Sequence, residues 1–575
     1  MTNTSFASLR LSLLASASVA LCLNAHAAGT AVDAGALLRQ TEQALPSSKS
    51  KPALAPRQTT TTPVTSAGEA SVEVRGFQFV GNTLLNADQL QHALTTYANR
   101  SLTLAQLKEA ADVVTNTYRD AGWTVRAFLP KQEIDKGLVT IQIVEAVFGG
   151  ANLQGKEPQR IEASRLIRMA EANLRKGQAL HANDLDRTLL LLDDLPGISV
   201  AGNLTAGQND GETNLALSAT DDALLSGNAT LDNQGSRATG IERVSANLNL
   251  NGPARLGDLL SVNLMQTEGT QYTRGSYSLP IGSDGWRAGV HASSLKYKVL
   301  TSYDDKASGT RGTADTAGLD MSYPLLRSQL NNVNATWSYD DKTLENYAAD
   351  ALNSNYKIKA SNLGINSNYI DTWGGGGSTS ASATLTQGRV VNEGSPNAQA
   401  DADGARVAGA YSKLNLNLNR LQSITSDLSL YAAMSAQAAS KNLDSSERLY
   451  LGGATGVRAF PASEAGGATG RTLTLELRQR LDTTLTLTGF YDYGHITVNK
   501  HNANASNGNA ISAVNAYALQ GYGVSLARQD SRGTELKATL AKRSAANPNA
   551  DPTTGMDGDK TKNTTRLWLS AGFTF

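Results

Sequence analysis

Cysteine is nearly missing from this 575-residue chain: the single one, Cys22, lies close to the N-terminus. Net charge is missing too, since 51 Lys and Arg balance 51 Asp and Glu. An electrostatic nucleic-acid binder needs a basic surplus, so no nucleic-acid partner is expected. Phe (9) and Trp (5) are scarce, and beyond the first residues no run is apolar enough for a membrane helix, which takes about 20 residues. No nucleotide-binding loop is present. His291, His495 and His501 are isolated in sequence, and none sits in a triad context. They read as loop or lumen residues, so neither a catalytic site, a metal site nor a cofactor is expected.

What is present begins with an export signal. Arg10 precedes an apolar stretch from Leu11 to Leu23, and Ala25-His26-Ala27 has the small-x-small cleavage pattern. Residues 1–27 therefore read as a signal peptide, and Cys22 leaves with it. Disulfides and thiol chemistry then play no part in the mature chain. An exported chain without a membrane helix is either soluble or a β-barrel.

The second half favours the barrel. From residue 222 to 575, segments of about ten residues alternate apolar and polar side chains, the pattern of membrane strands. Asn415-Leu416-Asn417-Leu418-Asn419 puts Asn on one face and Leu on the other, because strand side chains alternate. About sixteen such strands can be placed, starting near residues 225, 242, 258, 272, 286, 315, 332, 356, 378, 405, 425, 470, 485, 516, 532 and 565. Short connections such as 251–257 alternate with long ones at 299–312, 342–355, 391–404, 499–513 and 544–563. At the C-terminus Leu567, Leu569, Ala571, Phe573 and Phe575 share one face. A closing strand with Phe573 and a terminal Phe575 resembles an outer-membrane insertion signal read by the barrel-assembly machinery.

The first half is modular. Residues 28–45 predict a short helix, with Asp33 able to cap it and Leu37, Leu38, Thr41 and Leu45 near one face. Residues 46–70 hold Pro, Ser, Thr and Lys with few large apolar side chains and read as a flexible linker. Residues 71–147 give the order strand-helix-helix-strand-strand, with Leu104, Leu107, Ala111, Val114 and Tyr118 on one helical stripe. Residues 148–221 repeat that order, an internal duplication by element rather than by identity.

This order resembles the polypeptide-transport-associated (POTRA) domain. Two such units before a sixteen-stranded barrel look like the outer-membrane transporters of two-partner secretion, the haemolysin secretion/activation type. The resemblance implies that the N-terminal helix plugs the barrel. It also implies a lumen-inserted loop, here 438–470, carrying Val457-Arg458-Ala459-Phe460, where Ala459 replaces the family's usual Gly. A second motif on the thirteenth strand matches Phe490-Tyr491-Asp492-Tyr493-Gly494, and the family pattern implies that Arg458 pairs with Asp492. A guanidinium in a narrow lumen loses hydration, and a carboxylate can hold it through two parallel hydrogen bonds.

The partner implied is one large secreted exoprotein with an N-terminal secretion domain: an adhesin, a haemolysin, a haem-scavenging protein or a contact-dependent growth-inhibition toxin. Outer-membrane lipid is the other implied contact, and a monomer is expected. The exoprotein could add a strand to a periplasmic sheet edge. The edges expected are 123–130, bearing Trp123, Val125, Ala127 and Leu129, and 213–219. A barrel-assembly factor of the same superfamily is the nearest alternative, though it normally has more POTRA units.

Overall fold

The computed structural model describes residues 32–44 and 71–575, apart from 135, 305–308 and 463. The predicted signal peptide, Leu45 and the predicted linker 46–70 lie outside the described residues.

Among the described residues, sixteen antiparallel strands close into a barrel, from Leu225–Asp232 to Thr565–Thr574, the last pairing with the first. The alternation in sequence becomes two faces. Leu414, Leu416 and Leu418 point outward, between 39% and 48% exposed. Asn415 points inward and donates to Gln437 Oε1 at 2.8 Å. Leu363, Leu385, Val524, Leu540 and Leu567 extend this outward apolar ring around the wall. So wide an exposed aliphatic surface suits lipid and not water. Phe573 and Phe575 belong to it, 48% and 47% exposed, with ring centroids 6.1 Å apart.

One expected loop is not a loop. The strands Asn331–Ala348 and Ala351–Asp371 run on through 342–355 and meet at Ala349-Asp350. Both turn residues have positive φ (47° and 62°), the left-handed backbone of the tight hairpin turns that match strand twist. The strands here are long, and their polar ends stand clear of the apolar ring, which is why their composition resembled a loop.

The first periplasmic unit has a three-stranded sheet. Gly76–Val80 runs parallel to Leu138–Glu145, which is antiparallel to Val125–Phe128. Its helices, Ala87–Ala93 and Leu104–Asp120, both start with a capping box, Asn86 with Gln89 and Thr103 with Gln106. Leu107, Ala111, Val114 and Tyr118 are buried against the sheet, whereas Leu104, in the first turn, is half exposed. Glu145 ends the central strand and accepts from the N–H of Thr83 (2.7 Å) and Leu84 (2.8 Å) and from the Tyr118 hydroxyl (3.0 Å). Burial alone would raise its pKa, but these donors outweigh it and hold the carboxyl below its usual range.

The second unit repeats the arrangement with helices Ala163–Asn173 and Ala182–Asp193. Glu212–Asp221 lies parallel to Val147–Leu153 and antiparallel to Ile198–Ala206. The strand expected at 213–219 as a free edge is therefore the centre of its sheet, because the parallel pairing with Val147–Leu153 takes its second side. Ile198–Ala206 is an edge instead.

The two units are in direct contact. Trp123 packs edge-on against His181, ring centroids 4.8 Å apart, and the Thr124 N–H donates to the Leu180 carbonyl. The second unit meets the periplasmic turns of the barrel through Arg327 on Asp194 (2.7 Å) and Arg165 on the Pro280 carbonyl (3.0 Å).

Candidate functional site: the occupied barrel lumen

Among the described residues, two segments occupy the lumen. The first is the helix Ala34–Ala44. Asp33 caps it by accepting from the Ala36 N–H at 2.8 Å. Leu37 and Leu38 are buried among Tyr297, Leu344 and Tyr356 of the barrel wall. The Ala34 N–H donates to Asn346 Oδ1 at 2.8 Å. Leu45, predicted on the same face, lies outside the described residues.

The second is the chain between the strands Leu428–Ala439 and Thr469–Arg480. It folds inward and carries the Val457-Arg458-Ala459-Phe460 motif, each residue of which is buried. Arg458 Nε and Nη2 both donate to Asp492, each at 2.8 Å, and the Arg458 backbone N–H adds a third bond at 3.1 Å. Nη1 donates to Glu476 at 2.8 Å, and the guanidinium lies 3.5 Å from the centre of the Phe490 ring. The cation thus has two carboxylates and a π-face in place of water. Phe460 is covered by Arg543, whose guanidinium is 4.3 Å from the ring centre.

Ala459 does not need glycine's backbone freedom, since its φ is not positive. What it needs is room. A Cβ on Gly521, on the facing strand Ala516–Gln529, would stand 2.5 Å from the Ala459 methyl. Gly494, on the strand Leu485–Thr497, likewise leaves space for Leu451 and Val457.

Sequence reasoning missed the other end of this loop. Glu447 is buried between Lys342 (3.0 Å) and Lys413 (2.7 Å). Lys413 also donates to the Glu447 carbonyl at 3.0 Å. The plug helix touches the loop here. Asp33 accepts from the Ser445 hydroxyl at 2.6 Å, and a Cβ on Gly35 would come within 2.4 Å of that oxygen. A further missed contact comes from the closing strand: Trp568 Nε1 donates to the Arg458 carbonyl at 2.8 Å. The inward parity of Lys413 with Asn415 and Asn417 was the one available signal.

His291 is not isolated, as its sequence context suggested. It is buried in the wall between Asp320 (2.7 Å) and Asp340 (3.0 Å), contributed by neighbouring strands. Both ring nitrogens are thereby occupied. Beside the plug helix a polar-lined cavity of about 850 Å³ remains, bordered by Arg39, Glu42, Lys342, Asn362, Asn415 and Glu447 among others.

In the first periplasmic unit, Trp123, Val125, Ala127 and Leu129 pack against the domain core. The Ala127 N–H is bonded to Thr115 Oγ1 at 3.3 Å, so part of that edge is already capped.

Comparison with known proteins agrees with this architecture. Residues 211–526, more than half of the chain, match the family described as haemolysin secretion/activation protein ShlB/FhaC/HecB, and residues 72–146 match the ShlB-type POTRA domain. The heme/hemopexin transporter protein HuxB of Haemophilus influenzae is 26% identical over 525 residues, 89% of this chain and 91% of that protein. The outer membrane transporter CdiB of Escherichia coli is 24% identical, covering 74% of this chain and 72% of the relative. The solved structure of CdiB from Escherichia coli superposes with a TM-score of 0.66 at 19% identity, covering 89% of this chain and 93% of that one. The chain belongs to the haemolysin secretion/activation family ShlB/FhaC/HecB, outer-membrane transporters with a POTRA region in the periplasm.

Proposed function

We propose that this transporter threads one large cognate exoprotein, in extended form, from the periplasm through its barrel to the cell surface. The observation that carries this reading is the occupied lumen. A wet, polar-walled barrel is closed by two segments, and each is held by side-chain contacts that can be broken and remade. Opening requires the plug helix to leave and the loop bearing Arg458 to move. The exoprotein first meets the two α+β units, both of which we read as POTRA domains. Of the sheet edges there, Ile198–Ala206 offers the longer backbone ladder for strand addition. Folding of the emerging cargo outside supplies direction, and we assign the chain no catalytic role.

A haem- or hemopexin-binding exoprotein is the first cargo class to test, because the match to the heme/hemopexin transporter spans 89% of this chain. The experiment is co-expression of the transporter with a large candidate exoprotein that carries an N-terminal secretion domain, followed by assay of the medium and cell surface. Delivery should be lost in Arg458→Ala at normal barrel levels. Unchanged delivery would remove the lumen loop from the mechanism.

A further inference from the structure

The outer wall carries a basic patch that transport does not use. Lys359 and Arg389 lie directly opposite each other on adjacent strands, Ala351–Asp371 and Gly377–Val391. Both are exposed, and like charges in that register oppose strand pairing. Lys357 follows on the same face two residues along and is exposed as well. The acid nearby is Asp341, 3.6 Å from Lys359, with both side chains about half exposed. Among the described residues Arg389 has no acidic partner. At the centre of the patch Lys359 and Arg389 face the single acid Asp341, while Lys357 lies farther along the strand, diagonally across from Glu345.

The height of the patch on the barrel is informative. Tyr369, 48% exposed, faces outward near the periplasmic turn at Trp373, itself 72% exposed. Lys359 is on the same face ten residues earlier. Ten residues at about 3.3 Å each, tilted by roughly 40°, rise about 25 Å, the height of an apolar membrane belt. Lys359 and Arg389 thus stand at the outer boundary of the bilayer, where lipid headgroups begin. Directly below them Leu363, Leu385 and Leu414 form an exposed aliphatic row across three strands. Between the charges and this row is a depression of about 520 Å³ lined by Tyr339, Ser361, Gln387 and Ser412 as well as both basic residues.

We propose that this depression holds the phosphorylated headgroup of an outer-leaflet glycolipid. One phosphate would bridge Lys359 and Arg389, Ser361 and Gln387 would donate to its sugar or phosphate oxygens, and the leucine row would carry its acyl chains. A phosphate between the two cations removes their mutual repulsion and supplies the charge-assisted bonds that Arg389 lacks. A free phosphate ion could meet the charges but would leave the leucine row unused.

The test uses the full-length protein in detergent, with bound lipid read by native mass spectrometry. The probes are diphosphorylated lipid A, its dephosphorylated form, and excess inorganic phosphate as competitor. The wild type should retain diphosphorylated lipid A in preference to the dephosphorylated form, and inorganic phosphate should compete weakly. The double variant Lys359→Gln/Arg389→Gln should bind at least about tenfold more weakly, the loss expected from deleting charge-assisted contacts. Heat-dependent gel migration verifies that each variant barrel is folded, and Arg389→Lys, which keeps the charge, should retain part of the binding. Equal retention by wild type and double variant would overturn the assignment. So would full displacement by inorganic phosphate, or equal binding of the two lipid forms.

Discussion

The two ends of the lumen loop are fastened to different walls and in different ways. At one end Arg458 meets Asp492 through two parallel side-chain bonds, with Glu476 and Phe490 completing its surroundings. At the other end a single carboxylate, Glu447, sits between two flexible ammonium groups from the strands Asn331–Ala348 and Gly409–Ser423. The first arrangement has fixed geometry; the second is attraction between charges with little angular demand. The plug helix contacts the Glu447 end, through Asp33 on Ser445 and Arg39 Nε on the Arg448 carbonyl (3.4 Å). The difference teaches that plug departure and release of the Arg458 end are separable events. Leaving the plug site loosens one end of a crossbar whose other end stays fixed.

The largest expected effect comes from breaking the rigid end. Arg458→Ala leaves Asp492 without its cation, while Glu476 keeps Arg478 at 2.6 Å, and removing one partner of a well-buried pair costs about 3–5 kcal/mol. The loop should leave its seat and surface delivery of the exoprotein should fall at matched barrel levels. Arg458→Lys should recover only part of this, because an ammonium cannot make the forked contact. Full recovery by Lys would mean that charge alone matters and that the two ends do not differ as described.

The separation of the two ends is sharpened by combining changes. Deleting residues 32–44 and substituting Glu447→Gln should couple, with an interaction energy of roughly 0.5–3 kcal/mol, since they share contacts. The same deletion combined with Arg458→Ala should be close to additive. Open-state occupancy of the purified protein in planar bilayers gives both cycles. Coupling of equal size in the two would show the loop to be one rigid body.

How far the sequence foretold this site depends on whether local pattern or tertiary placement decides. The barrel was legible because lipid outside and water inside impose a period of two on every strand, as in Asn415 to Asn419. Arg458 and Asp492 were legible through the motifs around them. Glu447 was not, since its partners lie 105 and 34 positions away and no local rule joins them. The stretch 342–355 misled because polar strands above the membrane have the composition of loops. The strand 213–219 misled because sheet order is settled by parallel pairing, which leaves no mark in a single strand. Ala459 stands where the motif usually has Gly, yet its neighbour Gly521, 62 positions later, determines whether the methyl fits.

That neighbour provides a milder way to disturb the rigid end alone. Gly521→Ala would press a new methyl against Ala459, and overpacking of this kind costs about 1–3 kcal/mol. Surface delivery should decline without being abolished. Restoring space with Ala459→Gly in the same chain should recover it. A double variant no better than Gly521→Ala would show that the new methyl acts through the strand backbone and not through the loop.

The smallest effect tests whether the barrel's closing strand contributes to the same end. Trp568 is buried, while its neighbours Leu567 and Leu569 face lipid. Its indole N–H is the donor that meets the Arg458 carbonyl. Trp568→Phe keeps an aromatic ring but leaves that carbonyl unpaired in a dry site, at a cost of about 1 kcal/mol or somewhat more. Amide exchange of the loop around Arg458 should quicken, while exchange in the plug helix should not change, because that helix is attached to the opposite end of the crossbar. Equal quickening in both segments would place the plug and the Arg458 end in one cooperative unit, and the distinction between the two ends would then be one of chemistry without mechanical consequence.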